Sequence, residues 1–203
     1  MNEQESFWAE EFGNEYIDRN KSAKLLASNL NFFARCLSKI ENPSSVIEFG
    51  ANIGMNLKAL RLLFPELSTL KGLEINKTAS ARLAELIGEE NVINSSIVEY
   101  DNEQKFDLSL IKGVLIHCNP DQLQDIYKKL YMASSKYILI AEYYNPEPVS
   151  ISYRGYENKL FKRDFAGEIL DKFSDLRLID YGFCYHRGSF PQDDITWFLL
   201  EKN

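Results

Sequence analysis

Apolar residues recur along this chain with two different periods, and the switch between them marks out its elements. From Asn20 to Ile40, Leu26, Leu30, Phe33, Leu37 and Ile40 fall at spacings of four and three, the stripe of an amphipathic helix that Asn42-Pro43 ends. Ser45-Val-Ile-Glu-Phe49 is a short continuous apolar run and reads as a buried strand. A glycine-containing turn follows, then a helix with Leu57, Leu60 and Phe64 on one side, stopped at Pro65. The cycle repeats. Thr69 to Ile75 reads as a strand, and Asn76 suits the N-cap of a helix running through Leu83 and Leu86 to Gly88. Val92-Ile93 starts a third strand and Phe106 to Lys112 is a fourth. Asn119-Pro120-Asp121 has the chemistry of a helix start, with Leu123, Ile126, Tyr127 and Leu130 as the buried stripe, and Tyr137 to Glu142 is a fifth strand.

Continuous apolar strands separated by helices predict an α/β fold with a parallel sheet covered on both faces. The end of the chain breaks the pattern. Leu176 to Cys184 and Ile195 to Leu200 have only the turn-rich RGSFPQDD between them, which predicts an antiparallel hairpin at the sheet edge. No linker or repeat interrupts the chain, so a single domain over 1–203 is expected, with a helical cap at 1–42 and the α/β core at 43–203.

Charge and composition narrow the function classes. The 23 Lys and Arg against 30 Asp and Glu give a net charge of −7, which repels phosphate backbones and anionic lipid surfaces and makes nucleic acid an unexpected partner. No apolar run approaches the ~18 residues of a membrane span, and the opening MNEQESFWAEEFGNEY is acidic rather than basic-then-apolar, so a cytoplasmic chain without a signal peptide is expected. Three cysteines, Cys36, Cys118 and Cys184, are too few and too far apart for a disulfide framework. Without a CxxC or HExxH spacing no metal site is expected.

In an open α/β sheet, ligands sit beyond the carboxyl ends of the strands. The first such turn reads Glu48-Phe49-Gly50-Ala51-Asn52-Ile53-Gly54-Met55-Asn56. A dinucleotide fingerprint starting at Gly50 requires glycine where Asn52 and Met55 stand, and no Gly-Lys-Ser/Thr follows, so neither a dinucleotide nor a P-loop nucleotide fits. Glu48 closing the strand, with Gly50 and Gly54 bending the turn, suits a flat ligand bearing an ammonium and a sulfonium, which is S-adenosylmethionine. Glu74, at the end of the second strand in Gly-Leu-Glu-Ile-Asn, stands where a carboxylate takes two ribose hydroxyls, and Ser96-Ile97 would cover the adenine. A tight turn and a solvated charge are the plainer account of these same residues.

These stretches resemble the class I S-adenosylmethionine-dependent methyltransferases, through Glu48, Gly50, Gly54 and Glu74. The longer segments VIEFGANIGMNLKAL, KGLEINKTA, FDLSLIKGVLIHCNPDQL and IAEYYNPEPVSISYRG resemble methylases associated with pseudaminic acid biosynthesis. The resemblance implies a Rossmann-like seven-stranded, mostly parallel sheet with an antiparallel C-terminal strand and helices on both faces. It also implies S-adenosylmethionine as cofactor, and methyl transfer to a sugar or nucleotide-sugar metabolite of surface-glycan synthesis. Asn52, Asn56, Ile75, Lys112 and Val114 join the expected cofactor contacts, together with Tyr16 or Arg19 from an N-terminal lid helix rich in aromatics.

Beyond the fourth and fifth strands the expected catalytic residues are His117, which titrates near neutrality, with Tyr143, Tyr144 and Asn145. Arg154, Lys162 and Arg163, in what reads as a long polar loop, are the expected anchors for an acidic small-molecule acceptor. A non-catalytic cofactor-binding module and a protein or peptide methyltransferase are the alternatives, and the pattern leaves the oligomeric state open.

Overall fold

A computed structural model describes residues 1–17, 22–101 and 103–203 of the chain. Strands β1 (Ser45–Phe49), β2 (Thr69–Leu73), β3 (Val92–Ile93), β4 (Phe106–Lys112) and β5 (Ser134–Glu142) alternate with helices α4 (Met55–Leu63), α5 (Lys77–Ile87) and α6 (Leu123–Ala133). They are preceded by α1 (Glu3–Ala9), α2 (Glu11–Ile17) and α3 (Ala23–Cys36). They are followed by β6 (Val149–Tyr153), β7 (Tyr156–Lys162), α7 (Phe165–Lys172), β8 (Leu176–Cys184) and β9 (Ile195–Lys202). Seven strands form one sheet in the order β3-β2-β1-β4-β5-β9-β8, in which β1 to β5 are parallel and β9 is antiparallel to both neighbours.

The strands are continuous apolar runs because both faces of the sheet are covered. Val46, Leu108, Leu110 and Leu139 pack with α3, α4 and α5 on one side, while Ile47, Phe49, Ile111, Ile138 and Ile140 pack with α6 and α7 on the other. Side-chain caps set the helix starts: Ser22 Oγ accepts from Leu25 N–H, Asn76 Oδ1 from Ala79 N–H and Asp164 Oδ1 from Gly167 N–H. Asn119 caps a 3-10 turn over Pro120–Gln122, so the helix expected there begins one turn later, at Leu123. Of the helix expected over Asn20 to Ile40, Ala23 to Cys36 is helical and Asn20 lies outside the described residues. The second strand stops at Leu73 rather than Ile75.

Two regions differ more from expectation. The polar loop after β5 contains a hairpin, β6–β7, standing as a sheet of its own. Arg154 and Gly155, between the paired Tyr153 and Tyr156, have φ of 54° and 86°, the positive values that a tight two-residue hairpin turn requires. The N-terminal segment is two seven-residue helices that meet at Glu10, not one lid helix. Both lie against the hairpin: Phe7 meets Tyr156 and Phe12 meets Tyr153 with ring centroids 5.2 and 6.0 Å apart, and Gln4 Nε2 donates to Asn158 O. Helix α3 belongs to the layer on the sheet, with Phe32, Phe33 and Cys36 in its core.

Candidate functional site

The carboxyl ends of β1, β2, β4 and β5 open into a cavity of about 1090 Å³, roofed by α1, α2 and the β6–β7 hairpin. Its floor is the turn after β1. Gly50 has φ 75°, and a Cβ there would stand 2.5 Å from Val114 Cγ2, so the turn packs too closely against the loop after β4 to carry a side chain. Glu48 is fully buried beneath it. One of its oxygens accepts from Asn56 Nδ2 at 2.6 Å; the other oxygen, Oε2, and Asn56 Oδ1 have no hydrogen-bond partner among the described residues. Burial pushes the Glu48 carboxyl up to about 8, against the pull of the Asn56 hydrogen bond and of Lys112. Asn56 lines the cavity and Glu48 stands beneath the lining, so two buried acceptors without donors lie at its floor.

Glu74 stands one residue past β2 and is 7% exposed. Its Oε2 accepts from Asn52 N–H at 2.7 Å and its Oε1 from Asn76 N–H at 2.8 Å, which ties the β1 turn to the start of α5. Burial raises its carboxyl and these backbone donors lower it. Asn52 and Asn76 take one lone pair of each oxygen, and the Ile75 N–H also acts on the carboxylate.

Asn76 also secures the roof. Its Nδ2 donates toward Trp8 O (3.3 Å), Ala9 O (3.2 Å) and Asn14 Oδ1 (3.0 Å), while Glu5 accepts from the buried Ser96 hydroxyl. The sequence reading missed Glu5 and Gln4, whose partners are 91 and 154 residues away along the chain. It also missed the full part played by Glu142. That side chain, at the end of β5, accepts from Val114 N–H (2.9 Å) and Leu115 N–H (3.0 Å) and holds the loop that carries His117; burial raises its carboxyl to about 7.

The expected residues divide into those at the cavity and those turned elsewhere. Tyr16, Gly50, Asn52, Asn56, Glu74, Ile75, Ser96, Ile97, Lys112, Val114, His117, Tyr143, Tyr144, Arg154 and Lys162 line it. Glu48 and Gly54 support its floor, Gly54 as the left-handed N-cap of α4. Asn145 is not in the lining: its amide donates to Glu147 O at 2.6 Å and pins the turn before β6. Arg163 is also absent from the lining, because its guanidinium pairs with Glu168 at 2.6 Å. Arg19 lies outside the described residues. Lys112 is a half-buried side chain over the Phe32 ring, its pKa lowered by desolvation and raised by Glu48, Asp193 and Glu142. His117 Nδ1 lies 2.7 Å from Lys159 O; because a carbonyl only accepts, Nδ1 carries the proton and Nε2 the lone pair. Burial lowers its pKa to about 4, so the ring is neutral at pH 7.

No protein-family model and no curated protein matches this sequence. Solved structures do. The chain is similar to 1,6-didemethyltoxoflavin-N1-methyltransferase of Burkholderia thailandensis, solved with 1,6-didemethyltoxoflavin and S-adenosylhomocysteine. That match has 15% identity and a TM-score of 0.70, and covers 98% of this chain and 87% of that one. It is similar to magnesium protoporphyrin IX methyltransferase of Synechocystis PCC 6803, solved with S-adenosylmethionine, at 10% identity, 100% and 99% coverage and a TM-score of 0.72. The plantazolicin methyltransferase BpumL with S-adenosylhomocysteine matches at 14% identity, 98% and 94% coverage and a TM-score of 0.66. The chain has the fold of the S-adenosylmethionine-dependent methyltransferases. The seven-stranded, mostly parallel Rossmann-like sheet expected from the sequence is therefore present, with β9 and β8 as its antiparallel end.

Two outcomes follow from this geometry. Asn76→Ala removes both the α5 cap and the tether of α1–α2. It should cost about 1–2 kcal/mol in denaturant unfolding and make residues 1–17 the first site of limited proteolysis. The Glu142 carboxyl has a folded pKa of about 7, above its ordinary 4.5, so the folded state binds the extra proton. Its contribution to stability is complete below about 4.5 and is lost as pH rises through about 7. Glu142→Gln keeps an oxygen for the Val114 and Leu115 donors and should flatten that decline in melts across the same pH window.

Proposed function

We propose that the protein transfers a methyl group from S-adenosylmethionine to a small-molecule acceptor. The observation that carries this reading is the pair of orphaned acceptors, Glu48 Oε2 and Asn56 Oδ1, buried under the glycine turn of a methyltransferase fold. They fit the cofactor's ammonium, and its field would favour the ionised form of a carboxyl that burial holds mostly protonated at pH 7. The spare lone pairs of Glu74 fit a ribose diol, and Ile97 and Val114 supply apolar surface for a planar base.

When bound, S-adenosylmethionine supplies a methyl group on a positively charged sulfur, so transfer neutralises charge rather than creating it. The protein's task is then mainly to align the acceptor, an effect that can supply about 7–11 kcal/mol. His117, neutral and with Nε2 unprotonated, can hold an acceptor hydroxyl by hydrogen bond and take its proton as methyl transfer makes that oxygen acidic. Lys162, whose ammonium lies 5.2 Å over the Tyr143 ring, and Arg154 put two cations in the lining, beside the carboxylates of Asp193 and Asp194. These cations support an anionic acceptor, and we infer an acidic sugar or nucleotide sugar of the kind implied by the resemblance to methylases associated with pseudaminic acid biosynthesis. This proposal keeps the cytoplasmic location expected from the sequence.

Titration calorimetry with S-adenosylhomocysteine tests the first half. The wild-type chain should bind it, Glu48→Gln should weaken binding at least about tenfold, and no heat at millimolar ligand ends this reading. Labelled-methyl transfer to a metabolite extract tests the second half. His117→Ala should lower the turnover of the labelled acceptor by about 100- to 10,000-fold while cofactor affinity stays within about twofold, and an unchanged turnover removes His117 as the base.

A further inference from the structure

The cavity roof holds a second set of unpartnered acceptors. Gln4 on α1 is 7% exposed and lines the cavity. Its Nε2 donates to Asn158 O at 3.2 Å, and its buried Oε1 has no partner among the described residues. His117 is fixed in the same manner by the next carbonyl along β7, that of Lys159. Successive carbonyls of a regular strand point to opposite sides. Here Asn158 has φ 57° and the β6–β7 pairing slips between Ile151 and Tyr153, a bulge that lets both carbonyls serve the roof.

Because β7 takes the donor of each side chain, an acceptor of each remains, Gln4 Oε1 and His117 Nε2. Trp8 follows Gln4 by one helical turn, its ring centroid 4.5 Å from that of His117, and the Tyr153 ring lies 5.0 Å from His117 on another side. Gln4 is anchored by the β6–β7 hairpin, whose turn and end carry the cavity-lining Arg154 and Lys162, while its helix neighbour Glu5 accepts from Ser96.

We infer that Gln4 Oε1 and His117 Nε2 receive two neighbouring donor groups of the methyl acceptor. Those groups are a vicinal diol or amino alcohol on a ring lying against Trp8 and Tyr153, and Gln4 selects which acceptors bind. This inference rests on the methyl-transfer reading. It makes Gln4 a specificity residue contributed by the N-terminal helices, and it defines the acceptor chemistry as a polyhydroxylated ring whose acidic group meets Arg154 or Lys162. A ring with a single hydroxyl would leave Gln4 Oε1 buried and unpaired, a cost that discriminates against it.

The test uses the full chain saturated with S-adenosylhomocysteine, titrated with glucuronic acid, galacturonic acid and N-acetylneuraminic acid, and with cyclohexanecarboxylate as the ring without hydroxyls. At least one sugar acid should bind while cyclohexanecarboxylate does not. Gln4→Met, which keeps the length and removes the acceptor, should weaken the sugar acid at least about tenfold and leave S-adenosylhomocysteine affinity within about twofold. The inference is overturned if no sugar acid binds to the loaded wild-type chain, if Gln4→Met binds the sugar acid as well as wild type, or if it weakens S-adenosylhomocysteine as much as the sugar. Failure of the wild-type chain to bind S-adenosylhomocysteine at all overturns instead the methyl-transfer reading, and this inference with it.

Discussion

The Glu74 carboxylate is the interaction on which the rest of the site depends. One oxygen holds the backbone of Asn52 in the turn after β1 and the other holds that of Asn76 at the head of α5. Asn76 passes the constraint upward, since its side chain caps α5 with one atom and grips the junction of α1 and α2 with the other. Floor and roof of the cavity are thus joined at this buried acid, with the Glu5–Ser96 and His117–Lys159 bonds as further ties. The same acid keeps lone pairs for a ligand, so loss of the floor geometry and loss of the cap are coupled events.

Around that joint the chain concentrates carboxylates where burial disfavours their charge. Glu48, Glu74 and Glu142 all stand at strand ends with raised pKa values, and the half-buried Lys112 acts on Glu48 and Glu142. Backbone N–H groups offset the cost at Glu74 and Glu142, but Glu48 has only Asn56 and leaves one oxygen unanswered. On the proposed reading the cofactor's ammonium answers that oxygen. On the opposite wall the acceptors belong to neutral groups, Gln4 and His117, with Arg154 and Lys162 nearby. Asp193 and Asp194 line the cavity as well, Asp194 in the field of Lys162, so the charge around those cations is mixed.

Much of this was readable in the order of residues, for identifiable reasons. The strands were legible because sheet burial on both faces demands unbroken apolar runs, and the carboxylates at 48 and 74 because strand ends fix where a side chain emerges. The β6–β7 hairpin was not recognised, although Val149-Ser-Ile-Ser-Tyr153 alternates and Arg154-Gly155 is a fitting turn. Its apolar positions Val149 and Ile151 are exposed, so they do not read as core. Gln4 and Glu5 were invisible for another reason: on a short helix they read as solvated polar residues, and only tertiary contact with Asn158 and Ser96 gives them a place in the site. Asn145 and Arg163 had the right chemistry for an acceptor pocket but found nearer partners in Glu147 and Glu168, a competition that spacing does not reveal.

The most direct measurement is a crystal structure of the chain soaked or co-crystallised with S-adenosylhomocysteine. The account predicts the ligand's ammonium within hydrogen-bond distance of Glu48 Oε2 or Asn56 Oδ1 and its ribose hydroxyls on Glu74, with the Asn52 and Asn76 backbone bonds retained. Ligand density elsewhere in the molecule, with both of those acceptors still lacking a donor, would contradict it.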